Sequence, residues 1–269
     1  MVESSPLQSE NTPTPKQRTE YFQRLGIRLR GPLKALQAFK VFGEEAKTVE
    51  KQKQWFIGYR AVVETALALK IADLVRMPEN EQKLLVQASM THHATKRRQY
   101  EAKAHGVEIT SDTYDEIQKS GRDELIALGI DPQAIEIGLS VGSSFKGKVE
   151  RGEIQPKNET EEMIFRLQRY MAYIENCVDQ HINFKEHSQS TDIVDWRQRI
   201  DESQERYSDI TAEEFDTERR ITGQIETELR AALVTGGQHI EESMPLWKFL
   251  REEIAKDIRA GKVPKVPTV

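Results

Sequence analysis

The chain has 269 residues, 37% of them hydrophobic and 31% charged, with a formal net charge of -5. That length can bury a substantial core, as one large domain or a domain with extensions. The mildly acidic balance excludes general nucleic-acid binding but leaves room for a local basic patch. The single Cys177 rules out an internal disulfide framework and fits a reducing cytosol. The first residues carry neither a basic n-region nor an apolar h-region, and there is no apolar run of about 18 residues, so the expectation is a cytoplasmic protein without a membrane segment.

Residues 1–16 are mostly Ser, Pro, Thr, Gln and Glu and predict a disordered tail. A helical N-terminal extension is expected over 17–50, broken at Gly31-Pro32. The next helix is marked by Trp55, Phe56, Tyr59, Val62, Val63, Ala66, Leu67, Ile71 and Leu74 at i, i+3, i+4 spacing, with Pro78 as its stop. A further helix is predicted from Glu79 to Lys96. From Gly106 to Gly152 the pattern is short and interrupted. Asp131-Pro132 reads there as an N-cap with Pro at the first helical position, and 140–158 reads as a lid or a plain surface loop.

A long helix is expected from Glu159, with Ile164, Leu167, Met171, Ile174, Val178 and Ile182 as its apolar stripe and Asp179 at the stripe's edge. Another is expected over 192–207, burying Ile193, Trp196, Ile200 and Tyr207. Thr211 and Glu214 form a capping box that opens a helix with Ile221, Ile225, Leu229 and Leu233 inward, ended by Gly236-Gly237. A last helix over 245–260 presents Trp247, Leu250, Ile254 and Ile258. The tail after Gly261 reads as extended. No alternating strand pattern or internal repeat is present, so the fold class is all-α.

The chemistry concentrates where the 79–96 helix ends. Leu84, Ala88 and His92 lie at i, i+4 and i+8, so His92 continues an inward stripe, and His93 follows it. Lys96, Arg97 and Arg98 come next, placed for a helix C-terminus or for an anionic ligand. An ordinary histidine pair before a solvated basic tip explains the same residues.

The order of the pieces resembles the HD-domain superfamily of metal-dependent phosphohydrolases. That family has an early His, a His-Asp pair ending a later helix in an Ala-Ala-Leu-Leu-His-Asp-Ile-Gly-Lys context, and a distant Asp. Ala88-Ser-Met-Thr-His-His-Ala-Thr-Lys96 stands where the central motif would be, and Ile174-Glu-Asn-Cys-Val-Asp-Gln-His-Ile182 is similar to the helix bearing the final Asp. The segments 199–207 and 128–132 are similar to other parts of the family pattern. The resemblance implies an HD-like helical bundle over 51–235, flanked by the N-terminal extension and by a C-terminal helix and tail over 236–269. It also implies His92, His93 and Asp179 as metal ligands and Lys96 as a phosphate contact.

Two departures weigh on activity. Tyr59 stands in place of the first His, and His93 in place of the motif Asp. A phenol with a pKa near 10 ligates poorly at neutral pH, and replacing Asp with His removes the oxygen that usually holds metal. Two His and one Asp still suit a three-ligand site for Zn or Fe, and Mn or Mg are the other divalent ions considered.

Two functions therefore stand side by side. One is a phosphohydrolase acting on a nucleotide or another small phosphate ester. The other is an inactive HD-like scaffold that senses a ligand or binds a protein partner. Glu175, one turn before Asp179, reads as a base or replacement ligand, or as an ordinary solvent-facing Glu. His105 reads as an extra metal or phosphate contact, or as a surface His before a Gly cap. Cys177 and His181 at i, i+4 read as a metal pair, or as a buried thiol beside a polar face.

Overall fold

The computed structural model describes residues 64–92, 95, 98–99, 102–103, 105–108, 111–127, 129–139, 145–178, 195–206 and 211–260. The tail and extension expected before residue 50, and the positions of Tyr59, His93, Lys96, Asp179 and His181, lie outside them. The described residues are mostly helical and contain no strand. No helix among them is long and apolar enough to cross a membrane.

The first described helix, α1 (64–74), is apolar nearly all round, with Ala66, Leu67, Ala68, Leu69, Ile71 and Ala72 all buried. Such a helix belongs inside a bundle rather than on its surface. It ends in a Schellman cap: the Met77 N–H donates to Ala72 O at 2.8 Å and the Arg76 N–H to Asp73 O at 3.2 Å. Arg76 holds the left-handed position of that cap at φ 52°, a conformation glycine adopts without penalty. Arg76→Gly should therefore raise stability by about 0.5–1 kcal/mol. A urea midpoint equal to or below that of the parent chain would contradict this account.

Pro78 then leads into α2 (Glu79–Thr91). The helix stops five residues short of the expected end near Lys96. Thr91 turns its hydroxyl back onto Gln87 O at 2.8 Å, and His92, still in the α region, forms the C-cap. Next comes α3 (Ser111–Ala127), where only short, interrupted structure is expected from the sequence. Its apolar content is low, and Gly121 lies in its middle. Here that glycine is a packing site, because a Cβ on it would lie 2.4 Å from Thr95 Cγ2.

Helix α4 (Pro132–Leu139) begins as expected, with Asp131 Oδ1 accepting the Gln133 N–H at 2.8 Å. Helix α5 (Phe145–Glu150) occupies part of the expected lid or loop. Helix α6 (Glu159–Cys177) starts at the Asn158 cap and buries Ile164, Leu167, Met171 and Ile174. It ends at Cys177 rather than near Ile182, because Val178 leaves the helical conformation at φ -111°, ψ 51°.

Helix α7 (Trp196–Arg206) starts later than expected, capped by Asp195, whose Oδ1 accepts the Arg197 N–H at 2.8 Å. Trp196 and Ile200 are buried as the pattern predicts. The capping box at Thr211 and Glu214 is present and opens α8 (Ala212–Thr235). In α9 (Leu246–Arg259) the deepest residues are Leu246 and Leu250, while Trp247 and Ile254 are only partly buried.

One apolar cluster runs from Ala66 of α1 to Leu250 of α9. Within it α2 packs on α4 and α6, α4 on α6, and α6 on α7 and α8. Glu226 of α8 ties the far side together. It accepts the indole N–H of Trp196 and, on its other oxygen, the Arg230 guanidinium at 3.0 and 3.1 Å.

Candidate functional site

The site grows out of the contact between α2 and α4. The amide of Asp131, ahead of α4, donates to Gln87 Oε1 at 3.1 Å, which pins the start of α4 to α2. Gly138, near the end of α4, comes closer still: a Cβ there would sit 2.8 Å from Ala88 O and 3.3 Å from Ala88 Cα. Only a residue without a side chain permits that approach. It brings the Gly138 carbonyl within 2.5 Å of His92 Nδ1.

Helix α6 supplies the opposite wall. Gln168, Met171 and Glu175 follow i, i+3, i+7 spacing, so they share one face. Gln168 Nε2 reaches Glu136 O at 3.5 Å, and Met171 Sδ meets the Ser89 hydroxyl at 3.5 Å. One turn further, Glu175 Oε1 lies 3.3 Å from His92 Nε2. The His92 side chain is only 8% exposed and that of Glu175 only 22%. The ordinary solvent-facing reading of Glu175 is thereby overturned.

The groups around the ring bear on its charge. A carbonyl only accepts, so Nδ1 carries a proton and donates it to Gly138 O. Nε2 then faces the carboxylate either protonated, as an imidazolium in an ion pair, or as a lone-pair donor sharing a cation with it. Burial by itself favours the neutral ring. The Glu175 charge, its hydrogen bond, the charge of fully buried Glu64 and the Gly138 carbonyl outweigh burial and hold the His92 pKa above its ordinary value of about 6.5.

The sign for stability follows. A pKa raised on folding makes the charged pair fully stabilising below the unfolded value near pH 6.5, and the contribution is lost as pH rises through the folded value. Chelator-treated protein should therefore show a urea midpoint that falls as pH rises from about 6.5 through the folded pKa of His92, and Glu175→Gln should remove that slope. A midpoint rising over the same window would contradict the assignment.

The 3.3 Å separation also fits two neighbouring donors on one tetrahedral ion, which bonds of about 2.1 Å would place roughly 3.4 Å apart. Among the described residues no group of three His, Cys, Asp or Glu side chains is arranged to hold a metal. Of the five residues singled out in the sequence, the structure brings His92 and Glu175 together, whereas His93, Lys96 and Asp179 lie outside the described residues.

Two contributors belong to no motif in the sequence. Glu64 is a carboxylate inside the apolar run from Val62 to Leu69, a signal that was there to find. Gly138 looks like punctuation.

Of the other candidates, His105 and Cys177 lie among the described residues and His181 does not. His105 is exposed and precedes Gly106 at φ 76°. Cys177 is buried, and burial pushes its thiol well above the usual range, so it is a neutral core residue rather than a nucleophile. The sequence matches no protein-family model, no curated protein and no solved structure at a significant level.

Proposed function

We propose that the chain is a divergent HD-like helical protein of the cytoplasm. Its centre is His92 and Glu175, joined by His93 and Asp179, and it takes a divalent ion (Mn, Fe, Zn or Mg) to hydrolyse a nucleotide or another small phosphate ester. One observation carries this reading. The Nδ1–H of His92 is anchored on the Gly138 carbonyl while Nε2 is aimed at Glu175 Oε1, 3.3 Å away. That is how a ligating histidine is oriented by its outer partners. When bound, such an ion contributes Lewis acidity toward a phosphoryl oxygen and acidifies water. Lys96 orients the phosphate.

Chelator-stripped protein reloaded with each ion is expected to bind it stoichiometrically and to release phosphate from a nucleotide panel. His92→Ala and Glu175→Gln are expected to abolish both. Folded wild-type protein that takes up no ion and releases no phosphate would overturn the proposal.

A second reading rests on the same pair. With Nδ1 on a carbonyl and an imidazolium Nε2 on a carboxylate, the protein satisfies both ring nitrogens without any ion. The pair then locks α2 to α6 in a scaffold without turnover that senses a ligand or binds a partner. In that case Glu175→Gln changes stability and nothing else.

A further inference from the structure

A cleft of about 540 Å³ lies between the C-terminal ends of α1 and α8, and none of its lining residues belongs to the His92–Glu175 site. That volume falls in the range of small-molecule sites, about 300–1,000 Å³. Two cations line it with donors unspent. The Lys70 side chain is only 16% exposed, and its one ion pair among the described residues, to Asp257 Oδ2 of α9, is long at 3.7 Å. Its ammonium therefore makes no hydrogen bond to the described protein, although most of its stem is buried.

Arg76 is the second cation, and it stands in the left-handed position at φ 52°. Its guanidinium has no hydrogen bond or ion pair among the described residues, so no contact of the side chain offsets the backbone cost. Strain that the fold itself does not use is characteristic of ligand clamps and switch points.

The other lining groups narrow what these cations hold. Leu74, Val75 and Ala232 form an apolar wall. Asp73 has no side-chain partner among the described residues, and Glu228 takes the Tyr170 hydroxyl on one oxygen, so acceptors remain on both carboxylates. Gln238 adds an amide that both donates and accepts. A bare anion suits the cleft badly, because two carboxylates and two helix C-termini oppose it. A bare cation meets Lys70 and Arg76. A mononucleotide answers every group: phosphate for the cations, ribose hydroxyls for the carboxylates, a base face for the apolar wall and a base edge for the Gln238 amide.

We propose that the cleft between α1 and α8 binds a nucleoside monophosphate, gripped at its phosphate by Lys70 and Arg76. Isothermal titration calorimetry on the full chain in EDTA tests this. No ion is present, so the outcome is separate from that of the proposed hydrolysis. At least one of AMP, GMP, CMP and UMP is expected to bind at a single site, with its nucleoside and inorganic phosphate each about tenfold weaker or more. Lys70→Met, which keeps the buried stem, should weaken that binding about tenfold or more. Both variants lie outside the proposed catalytic site, so a loss assigns the heat to this cleft.

Arg76→Gly separates a ligand clamp from a structural residue. It should weaken nucleotide binding by a similar factor while the urea midpoint of the free protein rises. An arginine kept for the fold alone would leave affinity unchanged. Failure of all four nucleotides to bind up to about 5 mM would overturn the proposal. So would parental affinity in both variants, or inorganic phosphate or ribose 5-phosphate binding as tightly as the best nucleotide.

Discussion

Gly138→Ala is expected to destabilise the chain by about 2–4 kcal/mol, while Gly223→Ala, also within a helix, is expected to stabilise it by up to about 1 kcal/mol. Replacing a helical glycine with alanine gains roughly 1 kcal/mol from backbone propensity wherever the new methyl has room. At Gly223 it does: the nearest atoms are Trp196 Cη2 at 3.7 Å and Cζ2 at 3.9 Å, ordinary contact distances. At Gly138 it does not. The methyl would meet Ala88 O at 2.8 Å, and backbone cannot rotate away as a side chain can.

Forcing α4 off α2 adds an overpacking cost of about 1–3 kcal/mol and stretches the His92–Gly138 hydrogen bond, whose loss costs about the same again. The two glycines differ in the sign of the effect, and urea midpoints of the two variants measure it directly. Equal shifts at the two positions would refute the close approach of α2 and α4.

The second large effect is expected at Glu175. Glu175→Gln removes the charge that holds His92 protonated, and below about pH 6 it should lower stability by about 1.5–3 kcal/mol, the range for a hydrogen bond to a charged group. The loss should shrink as pH rises. Above the folded pKa of wild-type His92, a deprotonated Nε2 facing a carboxylate gains nothing, whereas a glutamine amide donates to it. The curves of stability against pH for the two proteins should converge as pH rises through the folded pKa of His92 and then cross, the variant becoming the more stable. Parallel curves would show that Glu175 does not set the charge of His92.

Local signals in the chain were readable wherever the physics is local. The Thr211–Glu214 capping box, the Asp131-Pro132 helix start and the apolar stripes of α6 and α8 are present as the residue spacing indicates. Each depends only on residues within a turn or two. Where an element depends on a distant neighbour, the pattern misled. The polar helix α3 is hidden in the sequence because its apolar residues are few, and Gly121 within it is accounted for only once Thr95 packs against it. Spacing alone carries α2 past Thr91 through His92 and α6 past Cys177 through Val178 and Ile182, although the helices end at Thr91 and Cys177.

The same division runs through the candidate site. Amino-acid order alone determined that a buried-side histidine ends one helix and that carboxylates flank the stripe of another. It could not choose among those carboxylates. Glu175 meets His92 because it continues the face of Gln168 and Met171, and that face packs on α2 and α4 only in the assembled bundle. Periodicity tells which side of a helix is buried. It does not tell which residue on that side will touch a partner 83 positions away in the chain (175 against 92). That pairing was decided in three dimensions, by a glycine that lets two backbones nearly touch.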